Sequence, residues 1–109
     1  MRVILDECLP RRLGPELAGH NVTTVQKEGW AGILNGWLLA QIAGKFDVFI
    51  TVDKNLSAQQ ETVGLSFGVI ILRAPSNRLK DLKPLVPELL RALAILKPGQ
   101  IAVVTTPGF

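Results

Sequence analysis

Asp6 and Asp53 are the residues with which chemistry would begin. Each stands where an apolar run comes into water: Arg2-Val3-Ile4-Leu5 leads into Asp6-Glu7, and Val48-Phe49-Ile50 leads into Thr51-Val52-Asp53. Two carboxylates held a few ångströms apart repel and raise one another's pKa, so such a pair needs a counter-charge. A divalent cation is the commonest. Mg2+ and Mn2+ take oxygen ligands, often one or two carboxylates completed by waters and substrate phosphate oxygens. That arrangement suits phosphodiester hydrolysis, in which the ion polarises a phosphoryl oxygen and lowers the pKa of a water. Asn35 and Asn55 would add neutral oxygens to the shell, and Thr51 is placed to hydrogen-bond a carboxylate. Glu7 is a further candidate ligand, although strand alternation turns it away from wherever Asp6 points. A competing role exists for each acid, because Asp after a strand also serves as a helix N-cap or a turn former.

The residues that would position these acids alternate between strand and helix patterns. Residues 2–5 read as a short buried strand, 10–18 as a helix with Leu9, Leu13 and Leu17 on one face, and 21–25 as a β-branched strand. Gly14-Pro15 interrupts the first helix pattern. After a glycine-punctuated loop, Asn35 is placed to cap a helix over about 36–45 that ends near Gly44. Residues 47–52 form the third strand, Asn55 or Ser57 opens a short helix over 57–63, and Gly68–Arg73 is a fourth strand, apolar up to Arg73, that needs cover on both faces. Leu79, Leu82, Val86, Leu89, Leu93 and Leu96 then make one helical stripe; Pro84 and Pro87 sit inside it, so the regular helix is expected to start near one of them. Residues 101–104 are the last strand.

This alternation predicts a three-layer α/β/α domain built on a five-stranded, mostly parallel sheet. The expected strand order is 2-1-3-4-5. The chain then reverses direction between strands 1 and 3, which opens a crevice beyond their carboxyl ends. Asp6 and Asp53 fall on that crevice. Arg11, Arg12, Lys54, Arg73 and Arg78 fall on the same rim, a basic border that a polyanionic substrate requires.

The stretches RVILDECLPRRL, ITVDKNLSAQQ and VIILRAPSNRLKDL resemble a small PIN-like domain family, over nearly the whole chain and in the same order of elements. PIN domains are metal-dependent nucleases, many of them the RNA-cleaving toxins of toxin–antitoxin pairs. The resemblance implies Mg2+ or Mn2+ as cofactor, RNA as substrate, a small antitoxin protein as partner, and a homodimer. Asp6 matches the family's first acid and Asp53 the acid of its Thr-x-Asp motif. Two positions depart: Asn35 stands where relatives often carry an acid, and Asp53-Lys54-Asn55 where many read Asp-Lys-Asp. Asparagine lends a weaker oxygen and no charge, so metal affinity should fall. A PIN-like module that binds RNA or protein without cutting is therefore the alternative. A phosphoacceptor receiver domain also carries acids after strands 1 and 3. It needs Ser or Thr at the end of strand 4 and Lys at the end of strand 5, where this chain has Arg73 and Thr105-Thr106.

Composition narrows the field. A chain of 109 residues fits one domain, and 48% hydrophobic with 19% charged residues argues against disorder. No apolar run approaches a membrane span, and Asp6-Glu7 cuts short any signal-like segment. A single cysteine, Cys8, fits a reducing cytoplasm and allows no internal disulfide, and one histidine, His20, gives no Cys/His zinc set. Cys8 reads as a packed thiol, His20 as a surface turn residue, and Trp30 and Trp37 as packing residues. The net charge of +3 is concentrated in residues 55–109, where six basic side chains face three acidic ones. The Leu/Val stripe and the Gly/Trp loop are candidate dimer surfaces.

Overall fold

In the computed structural model, which describes residues 1–56 and 64–109, five strands form one sheet. They are β1 (Arg2–Leu5), β2 (Asn21–Thr24), β3 (Val48–Thr51), β4 (Gly68–Arg73) and β5 (Ile101–Thr105). Every pairing is parallel and the order is β2-β1-β3-β4-β5. The register sets Leu5 opposite both Thr24 and Ile50, so β1 and β3 end side by side. The expected short helix over 57–63 lies outside the described residues.

Strand alternation distributes the core over two faces. Val3, Leu5, Val48, Ile50, Ile70, Leu72 and Val104 point to one side, against Leu13, Leu17, Leu82, Leu85, Leu89 and Leu93. Ile4, Phe49, Val69 and Ile71 point to the other, against Leu38, Leu39 and Ile42 of helix α1 (Asn35–Ile42) and against Val25, Leu56 and Phe67. The first five residues of β4 are buried, as a strand covered on both faces must be. This is the three-layer arrangement that the alternation predicts.

Two local expectations are corrected. The helix expected over 10–18 is a 3-10 helix, Arg11–Glu16, with Pro15 inside it. Proline lacks the N–H that an α-helical turn needs there, and the shorter 3-10 turn tolerates the loss. The leucine stripe runs through α2 (Leu79–Leu82), a 3-10 turn (Lys83–Leu85) and α3 (Val86–Ile95), so the regular helix starts beside Pro87, as the prolines inside the stripe predict. Its leucines still share one face, and that face is spent on the core, so the stripe offers no dimer surface. Asn35 does not cap α1; Leu34 occupies the cap position and Asn35 is the first helical residue.

Gly68 opens β4 beneath the end of α3. A Cβ there would lie 2.5 Å from Leu96 Cδ2 and 3.2 Å from the Lys97 carbonyl, so only glycine lets helix and strand approach this closely. Among the described residues, no helix is long and apolar enough to cross a membrane.

Candidate carboxylate site at the switch point

The carboxyl ends of β1 and β3 are tied together by backbone and side chains. The Asp6 N–H donates to the Ile50 carbonyl at 2.9 Å, which extends the β1–β3 pairing by one residue beyond the strand. Thr51, the last residue of β3, is a polar side chain with no solvent exposure. A buried hydroxyl needs partners, and this one has two. Thr51 Oγ1 donates to Asp6 Oδ2 at 2.6 Å and accepts the Asp53 N–H at 3.0 Å. One hydroxyl therefore joins the carboxylate of the first acid to the backbone of the second.

Each carboxylate has one oxygen in a local turn and one in this shared network. Asp6 Oδ1 accepts the Glu7 N–H at 2.8 Å. Asp53 Oδ1 accepts the Asn55 N–H at 3.0 Å, an Asx turn, while its Oδ2 accepts the Asn35 amide at 3.0 Å. The connected set runs Asp6, Thr51, Asp53, Asn35. Both acids are half-buried. An ionised carboxylate offers about four lone-pair positions, so each keeps acceptor capacity toward the crevice. Asn35 joins through its N–H2 group rather than its oxygen, and Asn55 through its backbone rather than its side chain.

Glu7 is turned away, as alternation requires. Both of its carboxylate oxygens accept the Gly32 N–H, at 3.2 and 3.3 Å. It thus anchors the glycine loop instead of joining Asp6. The loop after β1 is further pinned on both sides: Gln26 Nε2 donates to the Glu7 carbonyl at 3.0 Å, and Asn77 Nδ2 to the Cys8 carbonyl at 2.7 Å. Neither residue has a sequence signature, because each acts on backbone far away in the chain.

Cys8 is a packed thiol, as expected. Its Sγ lies 3.6 Å from Asp6 Oδ2 and donates to it. Burial pushes the thiol above its ordinary value, and the Asp6 charge pushes the same way, against an opposing hydrogen bond with the Val52 backbone. The group stays protonated at neutral pH, which suits a donor and not a nucleophile.

Arg11, Arg12, Lys54, Arg73 and Arg78 are all exposed, and among the described residues none is in an ion pair. Trp30 packs edge-on to Phe46, with ring centroids 6.1 Å apart and Lys45 5.2 Å over its ring. Trp37 departs from its expected packing role: it is 70% exposed at the N-terminal end of α1, beside Leu34. Helical spacing explains this, since Leu38, Leu39 and Ile42 claim the inward face and leave position 37 outside.

Two carboxylates with spare lone pairs are donors of the type that Mg2+ or Mn2+ would take together with water and phosphate oxygens. They do not make an all-protein cage: among the described residues, no group of three or more His, Cys, Asp or Glu is placed to hold an ion. No protein-family model, curated protein or solved structure matches the chain.

Proposed function

We propose that this protein is a Mg2+- or Mn2+-dependent endoribonuclease of PIN-like type, acting in the cytoplasm as the toxin of a toxin–antitoxin pair. One observation carries the reading: the Thr51 hydroxyl links Asp6 to Asp53 at the switch point of a parallel sheet. A buried hydroxyl with both partners in place rigidifies what it joins, here the carboxylate of Asp6 and the backbone that carries Asp53. The exposed basic side chains around them supply attraction for a polyanion. An antitoxin and a homodimer belong to the same reading through the PIN-like resemblance.

The residues divide the work. Asp6 and Asp53 hold the cation; Thr51 and Asn35 fix the direction of their oxygens; Lys54 and Arg73 stand beside the crevice to place the phosphate. When bound, the ion supplies Lewis-acid polarisation of the phosphodiester and a water of lowered pKa. Rigid carboxylates matter because a misplacement of ~1 Å can cost ~100-fold in rate.

The test is cleavage of RNA in Mg2+ or Mn2+ by wild type, Asp6→Ala and Asp53→Ala. Each variant should lose activity by at least about 100-fold while keeping its far-UV circular dichroism, since even the neighbours of ligands cost ~10–100-fold. Variants that cut like wild type would place the chemistry elsewhere. Relief of expression toxicity by Asp53→Ala would support the toxin assignment.

A second reading is a module that binds RNA or protein without cutting. It is favoured by one hydrogen bond: Asn35 fills an acceptor position of Asp53 with an N–H, where an acid would add a ligand. RNA binding without cleavage in either metal selects this reading.

A further inference from the structure

Two basic grooves flank the carboxylates, one on each side. The first, about 680 Å³, lies between the 3-10 helix and the outer edge of β2, and is lined by Arg11, Arg12, Thr23, Thr24, Gln26 and Lys27. The second, about 390 Å³, lies beyond the ends of β3 and β4, where Lys54, Arg73, Ser76 and Asn77 line it together with four apolar side chains. The β1 loop that carries Asp6 runs between them. Gln26 from the first groove and Asn77 from the second each donate to that loop's backbone, at Glu7 and Cys8. The grooves and the acids are thus parts of one hydrogen-bonded surface.

Local acids are partly occupied. Glu16 is within 3.8 Å of Lys83, Asp81 accepts the Ser76 hydroxyl, and Glu28 accepts the Thr23 hydroxyl at 3.1 Å. The cations lining the grooves, Arg11, Arg12, Lys27, Lys54 and Arg73, have no ion-pair partner among the described residues. Cations without partners on both sides of an acidic centre are arranged for a chain of phosphates rather than for a single anion.

We infer that a single strand of nucleic acid crosses the carboxyl ends of the sheet from Arg11, Arg12 and Lys27 to Lys54 and Arg73, with the intervening phosphate lying over Asp6 and Asp53. The inference rests on the nuclease reading only for the identity of the central phosphate. Sheet geometry gives the footprint. From β2 to β4 is three strand spacings, roughly 14 Å. At ~3.4 Å per stacked nucleotide that is about four steps. Lys27, Thr24 and Gln26 thereby gain a role on the substrate path. The interval between the grooves sets a minimum substrate of about five nucleotides.

The experiment is binding of 5′-fluorescein oligouridylates of two to eight nucleotides to the full-length protein, by anisotropy in EDTA, so that cleavage plays no part. Wild-type affinity should climb with length to about five nucleotides and then flatten. The triple variant R11A/R12A/K27A and the double variant K54A/R73A should each weaken pentamer binding by about tenfold or more. Each should also reduce the salt slope, by about 0.7 for every phosphate that is no longer neutralised. R11K/R12K, which keeps the charges, should retain most of the affinity and guards against a folding artefact. Lys97→Ala, at the amino end of β5, should bind as wild type does. The inference is overturned if the triple variant binds the pentamer as wild type does, if affinity flattens at the dinucleotide, or if wild type binds no oligomer. A protein that binds across both grooves and never cuts would defeat the nuclease reading and leave this one standing. A protein that cuts, with an inert β2-side groove, would do the reverse.

Discussion

The hydroxyl of Thr51 donates to Asp6 Oδ2 at 2.6 Å across the β1–β3 pairing, from a side chain with no solvent exposure. The same oxygen accepts the Asp53 N–H, so the carboxylate of one acid and the backbone of the other meet on a common atom.

Thr51→Val keeps the shape and removes the hydroxyl. It leaves the Asp53 N–H without its partner and removes the shorter of the two hydrogen bonds to Asp6 Oδ2. Loss of a hydrogen bond to a charged group costs about 2 kcal/mol, measurable in urea unfolding, and RNA cleavage should fall ~10–100-fold. Thr51→Ser keeps the hydroxyl and removes one methyl, so it should cost about 1 kcal/mol and retain most activity. Equal activity losses in the two variants would show that packing, not the hydroxyl, matters.

Asn35→Asp replaces a donor to Asp53 by a like charge. Without metal the protein should become less stable, and Mn2+ affinity in calorimetric titration should rise, because a third carboxylate joins the set. Unchanged Mn2+ affinity would remove position 35 from the ion's surroundings.

Gly68→Ala drives a methyl into Leu96 and toward the Lys97 carbonyl. Overpacking of this kind costs about 1–3 kcal/mol. The melting temperature should drop, with activity at low temperature little changed, since the collision lies at the end of the sheet opposite the acids.

The Cys8 thiol gives the pH dependence. Its folded-state pKa is raised by burial and by Asp6, so its contribution to stability is complete below the ordinary thiol range, about 8.5, and fades as pH climbs through the folded value. In metal-free protein, iodoacetamide labelling at pH 7.5 should be slower than for a free thiol and should accelerate only in more alkaline buffer. Asp6→Asn should speed it by removing the adjacent negative charge. Mass spectrometry of the labelled chain reads both.

The strand order, and with it the placing of Asp6 and Asp53 after neighbouring strands, is legible in the sequence because it follows from period-two burial and the handedness of crossovers, which are local patterns plus one topological rule. Thr51 is legible for the same reason, as the residue where β3 leaves the core. The role of Asn35 is not. Its position before an apolar helix matches a cap, and only the approach of Asp53, 18 residues later, redirects the amide. Pro87 marks the start of the regular helix and is legible as such, whereas Pro15 tightens residues 11–16 into a 3-10 helix that the leucine spacing reads as α-helix. Gln26 and Asn77 hold distant backbone, and nothing in their neighbourhoods announces that. Trp37 reads as a packing residue because an aromatic beside a leucine pair resembles core until the helix face is fixed.

The bond from Thr51 to Asp6 spans 45 residues of chain, and all four strand pairings are parallel. No hairpin can bring these two side chains together early. The entropy of closing that loop must be met before either acid finds its orientation, and topologies of this sort fold slowly. A chain in which β1 and β3 have not paired therefore carries no assembled centre, and whatever activity this protein has must wait for that closure of its sheet.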